Sequence, residues 1–201
     1  MERSIGVAAK EHHRAIIWNV PNLLSFLRIA AIPFVVVCLF SPGPLASFLA
    51  ALFFSLASLT DLLDGYIARQ QKSETAVGKL LDPLADKLLI NSALIMLIAL
   101  GRIPAWVVVI IVGREIAVTG LRGIASVEGL VIAASRWGKA KTILQSSALI
   151  GLMLHYEYLG IDFHFLGMII LWVALMITLW SGFDYFIKFY REHQKKDPGV
   201  K

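Results

Sequence analysis

Six stretches of apolar residues, separated by short polar or breaker segments, dominate the chain. A transmembrane helix needs about 20 mainly apolar residues, and each stretch comes close to that length. The separators include a Ser-Pro-Gly-Pro sequence at 41–44, a Gly-Arg-Ile-Pro sequence at 101–104 and a polar segment at 157–164. The pattern therefore predicts an all-α fold of six transmembrane helices. The stretches are residues 23–40, 45–68, 78–100, 103–125, 137–155 and 166–189.

The composition indicates whether water or lipid surrounds these helices. Of the 201 residues, 58% are apolar and 16% are charged, whereas a soluble domain averages roughly a quarter charged residues. A water-soluble protein of this size cannot bury such a surplus, so we predict an integral membrane protein. The predicted organisation is one six-helix domain at 19–192, followed by a basic tail at 193–201. Residues 1–18 mix apolar and charged side chains, which fits either an interfacial helix or a partly ordered tail.

The basic residues predict how the chain is oriented. Short loops on the cytoplasmic side of a membrane are enriched in Lys and Arg. Of the 19 Lys and Arg residues, only Arg102 falls on the opposite side in the six-helix arrangement, and Arg28 is counted with the N-terminal group. We therefore expect a multi-pass protein of the inner (cytoplasmic) membrane with both termini in the cytoplasm. The charges flank apolar stretches and form no separate basic module, so nucleic-acid binding is not expected.

Four aspartates stand at the cytoplasmic ends of the second and third stretches. Helical spacing places Asp61 and Asp64 on one face of the second helix and Asp82 and Asp86 on one face of the third. The connector at 70–78 is long enough for the chain to return antiparallel, with the two acidic faces opposed. Converging carboxylates repel one another unless cations neutralise them, and sites with only oxygen ligands suit Mg²⁺ or Mn²⁺. The pattern predicts a divalent-metal site facing the cytoplasm.

Small residues lie beside these acids. Gly65, Ala68 and Gly78 leave a groove in which a flat group can approach the backbone, and Arg69 can neutralise a phosphate. Each residue alone also fits a structural role, such as a helix cap or close helix packing. A cation channel or transporter is another reading of the acids, but such a pathway should extend toward the middle of the membrane. These acids cluster at one interface, which favours an enzyme site.

The same residues carry a family resemblance. The pattern D-x₂-D-G-x₂-A-R-x₈-G-x₃-D-x₃-D of the CDP-alcohol phosphotransferases is matched at every defined position. The matching residues are Asp61, Asp64, Gly65, Ala68, Arg69, Gly78, Asp82 and Asp86. The resemblance implies a six-helix membrane enzyme, usually a homodimer, that uses two divalent cations (Mg²⁺ or Mn²⁺).

The resemblance also implies a role for each matching residue. Asp61, Asp64 and Asp82 are expected to bind metal, and Asp86 to act as a metal ligand and general base. Six of the matching residues are expected to bind the CDP group. They are Asp64, Gly65, Ala68, Arg69, Gly78 and Asp82.

Cationic side chains on the fourth and fifth stretches are candidates for binding the acceptor alcohol. They are Arg114, Arg122, Lys139 and Lys141. Such groups can bind the phosphate of an acceptor through charge-assisted hydrogen bonds. The structural alternative is that they extend to lipid phosphates at the membrane surface. Arg114, deeper in its stretch and beside Glu115, favours the functional reading most.

Three blocks outside the acidic pattern resemble one branch of the family, the bacterial phosphatidylglycerophosphate synthases. The blocks begin at Asn19, Val112 and Ser135. The resemblance implies transfer of a phosphatidyl group from CDP-diacylglycerol to sn-glycerol 3-phosphate, giving phosphatidylglycerophosphate and CMP in phospholipid biosynthesis. Related enzymes share the acidic pattern but use phosphatidylglycerol, inositol phosphate or serine, so these acceptors remain alternatives. A non-catalytic membrane protein is the alternative from another class.

Overall fold

The computed structural model describes residues 20–41, 43–71, 76–130 and 136–196 of the chain. Within these ranges the side chains at 61–77, among others, lie outside the described set. The prediction for residues 1–18 falls outside the described residues as well. The described part contains six α-helices, whose bounds are α1 Val20–Phe40, α2 Pro44–Gln71, α3 Ala76–Ala99, α4 Ala105–Val127, α5 Arg136–Leu154 and α6 Phe163–Lys196.

These helices correspond one to one with the six apolar stretches, which confirms the predicted all-α class. They differ from the prediction mainly at their ends. α2 continues to Gln71 and α3 begins at Ala76, so only residues 72–75 separate them. α6 likewise continues through polar residues to Lys196. An apolar stretch ends where polar residues begin, whereas the backbone hydrogen bonds of a helix can continue through polar residues. The helices are therefore longer than the apolar stretches.

Within the described part of the chain, two helices are long and apolar enough to cross a membrane. They contain the segments Asn22–Phe40 in α1 and Phe163–Gln194 in α6. Large apolar side chains remain exposed along them, including Phe34 and Phe40 on α1 and Phe183 on α6. Exposed apolar surface of this extent is unusual on a soluble monomer and is expected where lipid is the solvent.

The chain divides into two compact units, Met1–Met96 and Leu97–Lys201. In the first unit, α1 packs along α2. Buried side chains on these two helices include Leu39 and Phe54, and the rings of Phe34 and Phe53 lie 5.9 Å apart. α3 continues through Pro83 without interruption and buries Leu89 and Leu94.

The second unit is built around α6, which packs against both α4 and α5. α5 and α6 approach closely at two glycines: a Cβ on Gly167 would lie 2.8 Å from the Leu152 nitrogen, and one on Gly151 would lie 2.9 Å from the Gly167 Cα. Small residues allow helices in membranes to pack backbone against backbone. The rings of Trp106 on α4 and Trp172 on α6 lie 5.5 Å apart.

A short β-hairpin connects α5 to α6, within the segment predicted only to be polar. Its strands are β1 Glu157–Tyr158 and β2 Ile161–Asp162, paired antiparallel. Leu159 and Gly160 both have positive φ, as a two-residue hairpin turn of type I′ requires. Arg102 Nη1 donates to the carbonyl oxygen of Met153 at 2.8 Å, so it binds a backbone acceptor in the last turn of α5.

Candidate functional site

The backbone places the predicted acidic residues on two helices. Asp61 and Asp64 lie in the last third of α2, and Asp82 and Asp86 lie in the first half of α3. Because α3 is a continuous helix, Asp82 and Asp86 occupy one face, one turn apart. The side chains of Asp61, Asp64, Ala68 and Arg69, and residue Gly65, lie outside the described set. The opposition of the two acidic faces therefore stays a prediction.

Asp82 is held by the first helix. Its Oδ1 accepts a hydrogen bond from Ser25 Oγ at 3.0 Å and one from Arg28 Nη1 at 3.3 Å. Ser25 and Arg28 lie one turn apart on α1 and are buried, with 1% and 0% of their surfaces exposed. By contrast, 43% of the Asp82 side chain remains exposed. α1 thus fixes one carboxylate oxygen of Asp82 while the carboxylate stays open to a ligand.

The donor set fits a hard divalent cation. Carboxylate oxygens at the spacing of Asp82 and Asp86 are the ligands that Mg²⁺ and Mn²⁺ prefer. Among residues with described side chains, no group of three or more His, Cys, Asp or Glu could hold a metal ion. That set contains only two of the four predicted acids. Asp82, partly exposed and hydrogen-bonded through one oxygen, has the environment expected of a metal-binding carboxylate.

A second polar cluster lies in the other unit and contains two of the predicted acceptor-binding cations. Glu115 Oε1 accepts from Arg114 Nη1 at 3.1 Å and also binds Lys141 Nζ. Arg114 further donates from Nε to the Thr178 carbonyl oxygen at 3.1 Å and from Nη2 to Ser181 Oγ at 2.8 Å. Arg114 therefore links α4 to α6, a contact that the sequence does not predict.

The remaining two predicted cations have different surroundings. Arg122 is exposed, with its guanidinium carbon 5.5 Å from the centre of the Tyr185 ring. Lys139 is exposed, whereas Lys141, two residues later on α5, is buried together with Gln145. Residues two apart on a helix do not share a face. The structure thus brings Arg114 and Lys141 together around Glu115 and separates Lys139 from them.

Sequence reasoning missed the partners of the predicted residues. The block that begins at Asn19 continues through Ser25 to Arg28, and the orientation argument uses Arg28 only as one of the N-terminal charges. In the described structure Arg28 is fully buried. The available signal was an arginine inside an apolar stretch, since such a residue is expensive without a partner. The sequence does not identify Asp82 as that partner.

Comparison with known proteins agrees with the acidic pattern. Residues 18–180 match the family model described as CDP-alcohol phosphatidyltransferase. A protein of Bacillus subtilis (strain 168) named CDP-diacylglycerol–glycerol-3-phosphate 3-phosphatidyltransferase is 41% identical over 186 residues, covering 85% of this chain and 95% of the relative.

Relatives from other bacteria carry the same name. The protein of Rickettsia bellii (strain RML369-C) is 41% identical over 169 residues, covering 84% of this chain and 93% of its own length. The protein of Haemophilus influenzae (strain ATCC 51907 / DSM 11121 / KW20 / Rd) is 36% identical over 174 residues, covering 84% and 91%. With the family model spanning most of its length, the chain belongs to the CDP-alcohol phosphatidyltransferase family.

Proposed function

We propose that this protein transfers the phosphatidyl group of CDP-diacylglycerol to sn-glycerol 3-phosphate, giving phosphatidylglycerophosphate and CMP. The observation that carries the reaction class is the complete acidic pattern from Asp61 to Asp86, in a chain that belongs to the family. The names of relatives that cover 84–85% of the chain support glycerol 3-phosphate as the acceptor. Phosphatidylglycerophosphate formed in this way is an intermediate of phospholipid biosynthesis.

The acidic residues bind two divalent cations in this proposal. Asp61, Asp64, Asp82 and Asp86 would hold Mg²⁺ or Mn²⁺, consistent with their oxygen donors. When bound, such ions withdraw charge from the diphosphate and stabilise the CMP that leaves. Gly65, together with the other small residues and Arg69, would receive the CDP group.

Asp86 acts as the general base. Its carboxylate takes the proton from the attacking hydroxyl of glycerol 3-phosphate while the oxygen–phosphorus bond forms and the bond to CMP breaks. Asp86 lies one turn after Asp82 on α3 and is partly exposed, so a hydroxyl can reach it from the same face. The acceptor phosphate remains unreacted and needs a cationic partner elsewhere.

The cluster around Glu115 supplies positive charge for that phosphate. Arg114 and Lys141 share Glu115, so two cations meet one carboxylate and the cluster retains a net positive charge. Arg122, which is exposed on the same helix as Arg114, provides a further positive charge. The residues that bind the acceptor phosphate in the proposal are Arg114, Arg122, Lys139 and Lys141. Glu115 holds Arg114 and Lys141, whereas Arg122 and Lys139 are exposed.

The protein functions in the inner (cytoplasmic) membrane as a six-span homodimer, with its site and both termini on the cytoplasmic side. The distribution of Lys and Arg supports the orientation, and the exposed apolar faces of α1 and α6 support contact with lipid. A site at this interface lets the acyl chains of CDP-diacylglycerol remain in the bilayer while the cytidine group faces water.

An acceptor panel tests the proposal. Purified protein in lipid nanodiscs would receive CDP-diacylglycerol and Mg²⁺ with glycerol 3-phosphate, phosphatidylglycerol, inositol phosphate or serine. We expect CMP release with glycerol 3-phosphate at least a hundredfold faster than with the others. Release with only another alcohol would refute the acceptor, and no release with any acceptor would refute the enzyme and favour a transporter or binding protein.

A further inference from the structure

The contact between α1 and Asp82 assigns a function to two residues that the acidic pattern does not include. Ser25 and Arg28 both donate to the same oxygen, Oδ1, of Asp82. The two donors lie on one face of α1, 57 and 54 residues before their acceptor. Two hydrogen bonds from one helix to a single oxygen hold Oδ1 in place and restrict the rotamers open to Asp82.

Burial indicates that this contact is not a chance surface pair. The Arg28 side chain has no exposed surface, and Ser25 is 1% exposed. A buried guanidinium is costly unless it is paired with an anion, and Asp82 supplies a carboxylate within 3.3 Å. Because Arg28 is buried completely, it is positioned to act on Asp82 and is shielded from direct contact with a substrate.

The geometry of Asp82 indicates what the contact achieves. A carboxylate has two oxygens and accepts several hydrogen bonds. With Oδ1 held by α1 and 43% of the side chain exposed, the carboxylate can present its second oxygen to a cation with restricted conformational freedom. Hydrogen bonds of this kind orient metal ligands, and removing them typically weakens metal binding by about 10- to 100-fold.

We propose that Ser25 and Arg28 are positioning residues that hold Asp82 ready to bind a divalent cation. The proposal rests on the metal-binding role of Asp82 within the proposed function. It predicts that metal affinity depends on α1, a helix that contributes no acid to the site. A purely structural contact would instead change stability without changing the affinity for the cation.

Two substitutions isolate the geometry without changing any charge. Ser25→Ala removes one donor to Oδ1, and Arg28→Lys keeps the positive charge but loses the planar guanidinium. Keeping the charge matters because a cation at position 28 itself repels a bound metal ion. Ser55→Ala is the matched control, since among the described residues Ser55 Oγ donates locally, to the Ala51 carbonyl oxygen at 2.6 Å. Asp82→Asn tests the ligand itself.

The measurement is the Kd for Mn²⁺ of the full-length protein in nanodiscs, determined from the electron paramagnetic resonance signal of free Mn²⁺ without substrate. We expect Ser25→Ala and Arg28→Lys to weaken binding about tenfold, Ser55→Ala to stay within twofold of the wild type, and Asp82→Asn to lose a site. The Mn²⁺ concentration for half-maximal turnover should rise in parallel, while kcat recovers at saturating Mn²⁺.

The outcomes separate this inference from the proposed function. If folded Ser25→Ala protein binds Mn²⁺ within twofold of the wild type while Asp82→Asn loses a site, the positioning role is wrong and the metal site stands. If Asp82→Asn binds Mn²⁺ like the wild type, the metal site of the proposed function is wrong, and the positioning role with it. Ser25→Ala decides the question even if Arg28→Lys fails to fold.

Discussion

Asp82 and Asp86 lie one turn apart on α3, and both are partly exposed. Asp82 accepts hydrogen bonds from Ser25 and Arg28 on α1, which suits a ligand that must hold still. Asp86 is assigned the proton transfer. The acidic pattern identifies both residues through their spacing. The contact between Asp82 and α1 comes from tertiary packing, which residue spacing does not encode.

Asp86→Asn should remove turnover while leaving binding of CDP-diacylglycerol largely intact. The amide cannot accept the proton of the attacking hydroxyl, whereas the small residues that receive the CDP group are unchanged. We expect kcat to fall about a hundredfold to ten-thousandfold, the range typical of general acid–base catalysis, with the Kd for CDP-diacylglycerol within about threefold. Steady-state kinetics and equilibrium binding measure the two quantities.

Asp184→Asn is the matched control for this substitution. Asp184 lies on α6 and pairs with Lys188 one turn later, with Lys188 Nζ 2.6 Å from Asp184 Oδ2. Solvent-exposed pairs of this kind contribute little to stability. The control should retain wild-type kcat. Full activity of the Asp86→Asn protein would contradict the general-base assignment.

Arg114→Ala should raise the KM for glycerol 3-phosphate about tenfold and leave the KM for CDP-diacylglycerol within twofold. A lost charge-assisted hydrogen bond is worth about 1.5–3 kcal/mol, which corresponds to at least a tenfold change. Because Arg114 also binds Thr178 and Ser181 on α6, its removal should lower the Tm as well.

Arg191→Ala, at an exposed position near the end of α6, is the control for losing an arginine. It should leave both KM values and the Tm unchanged. If Arg114→Ala raises both KM values equally, Arg114 acts only by joining α4 to α6, and the acceptor phosphate binds elsewhere.

At the scale of the elements, hydrophobicity predicted all six helices but not how they pack. The apolar stretches fixed the number and order of the helices within the described chain. The hairpin between α5 and α6 was missed, because strands of two residues are too short to produce an alternating pattern. The close approach of α5 and α6 was also missed, since Gly151 and Gly167 become neighbours only in the folded chain.

Gly167→Ala should destabilise the protein by pushing α5 and α6 apart. Its Cβ would lie 2.8 Å from the Leu152 nitrogen and 2.9 Å from the Gly151 carbonyl carbon, and backbone atoms cannot move aside as a flexible side chain does. Overpacking of this kind costs about 1–3 kcal/mol. Thermal unfolding in detergent should therefore show a Tm lowered by several degrees.

Gly120→Ala provides the opposite case within α4. A Cβ there meets no atom within 4 Å among the described residues. Replacing a helical glycine by alanine at an open position stabilises a helix by about 0.5–1 kcal/mol. The Tm should stay the same or rise. An unchanged Tm in Gly167→Ala would show that the two helices tolerate a wider separation.

At the scale of the whole molecule, sequence patterns predicted the family and a location in lipid. The acidic pattern predicted membership of the family, which the comparison confirms over residues 18–180. The orientation in the membrane and the homodimer stay predictions. The orientation depends on the lipid around the protein, and the homodimer depends on a second chain. A single sequence indicates both only indirectly, through its charges and apolar faces.

Cysteine labelling tests the predicted orientation. Cys38 is the only cysteine of the chain, so a Cys38→Ala background accepts single reporters. In the six-span arrangement, Leu159→Cys at the fully exposed hairpin turn should react with an impermeant maleimide in intact cells. Val127→Cys, at the end of α4 and 90% exposed, should react only after the membrane is permeabilised. The reverse pattern would contradict cytoplasmic termini.

The coupling of CMP release to lipid labelling tests the central claim most directly. Purified protein would receive CDP-diacylglycerol, Mg²⁺ and radiolabelled glycerol 3-phosphate, with CMP and the labelled lipid measured in the same samples. Phosphatidyl transfer predicts one CMP for each glycerol 3-phosphate incorporated, with both products lost in Asp86→Asn. CMP released without incorporation of the label, or neither product formed by active wild-type preparations, would contradict the account.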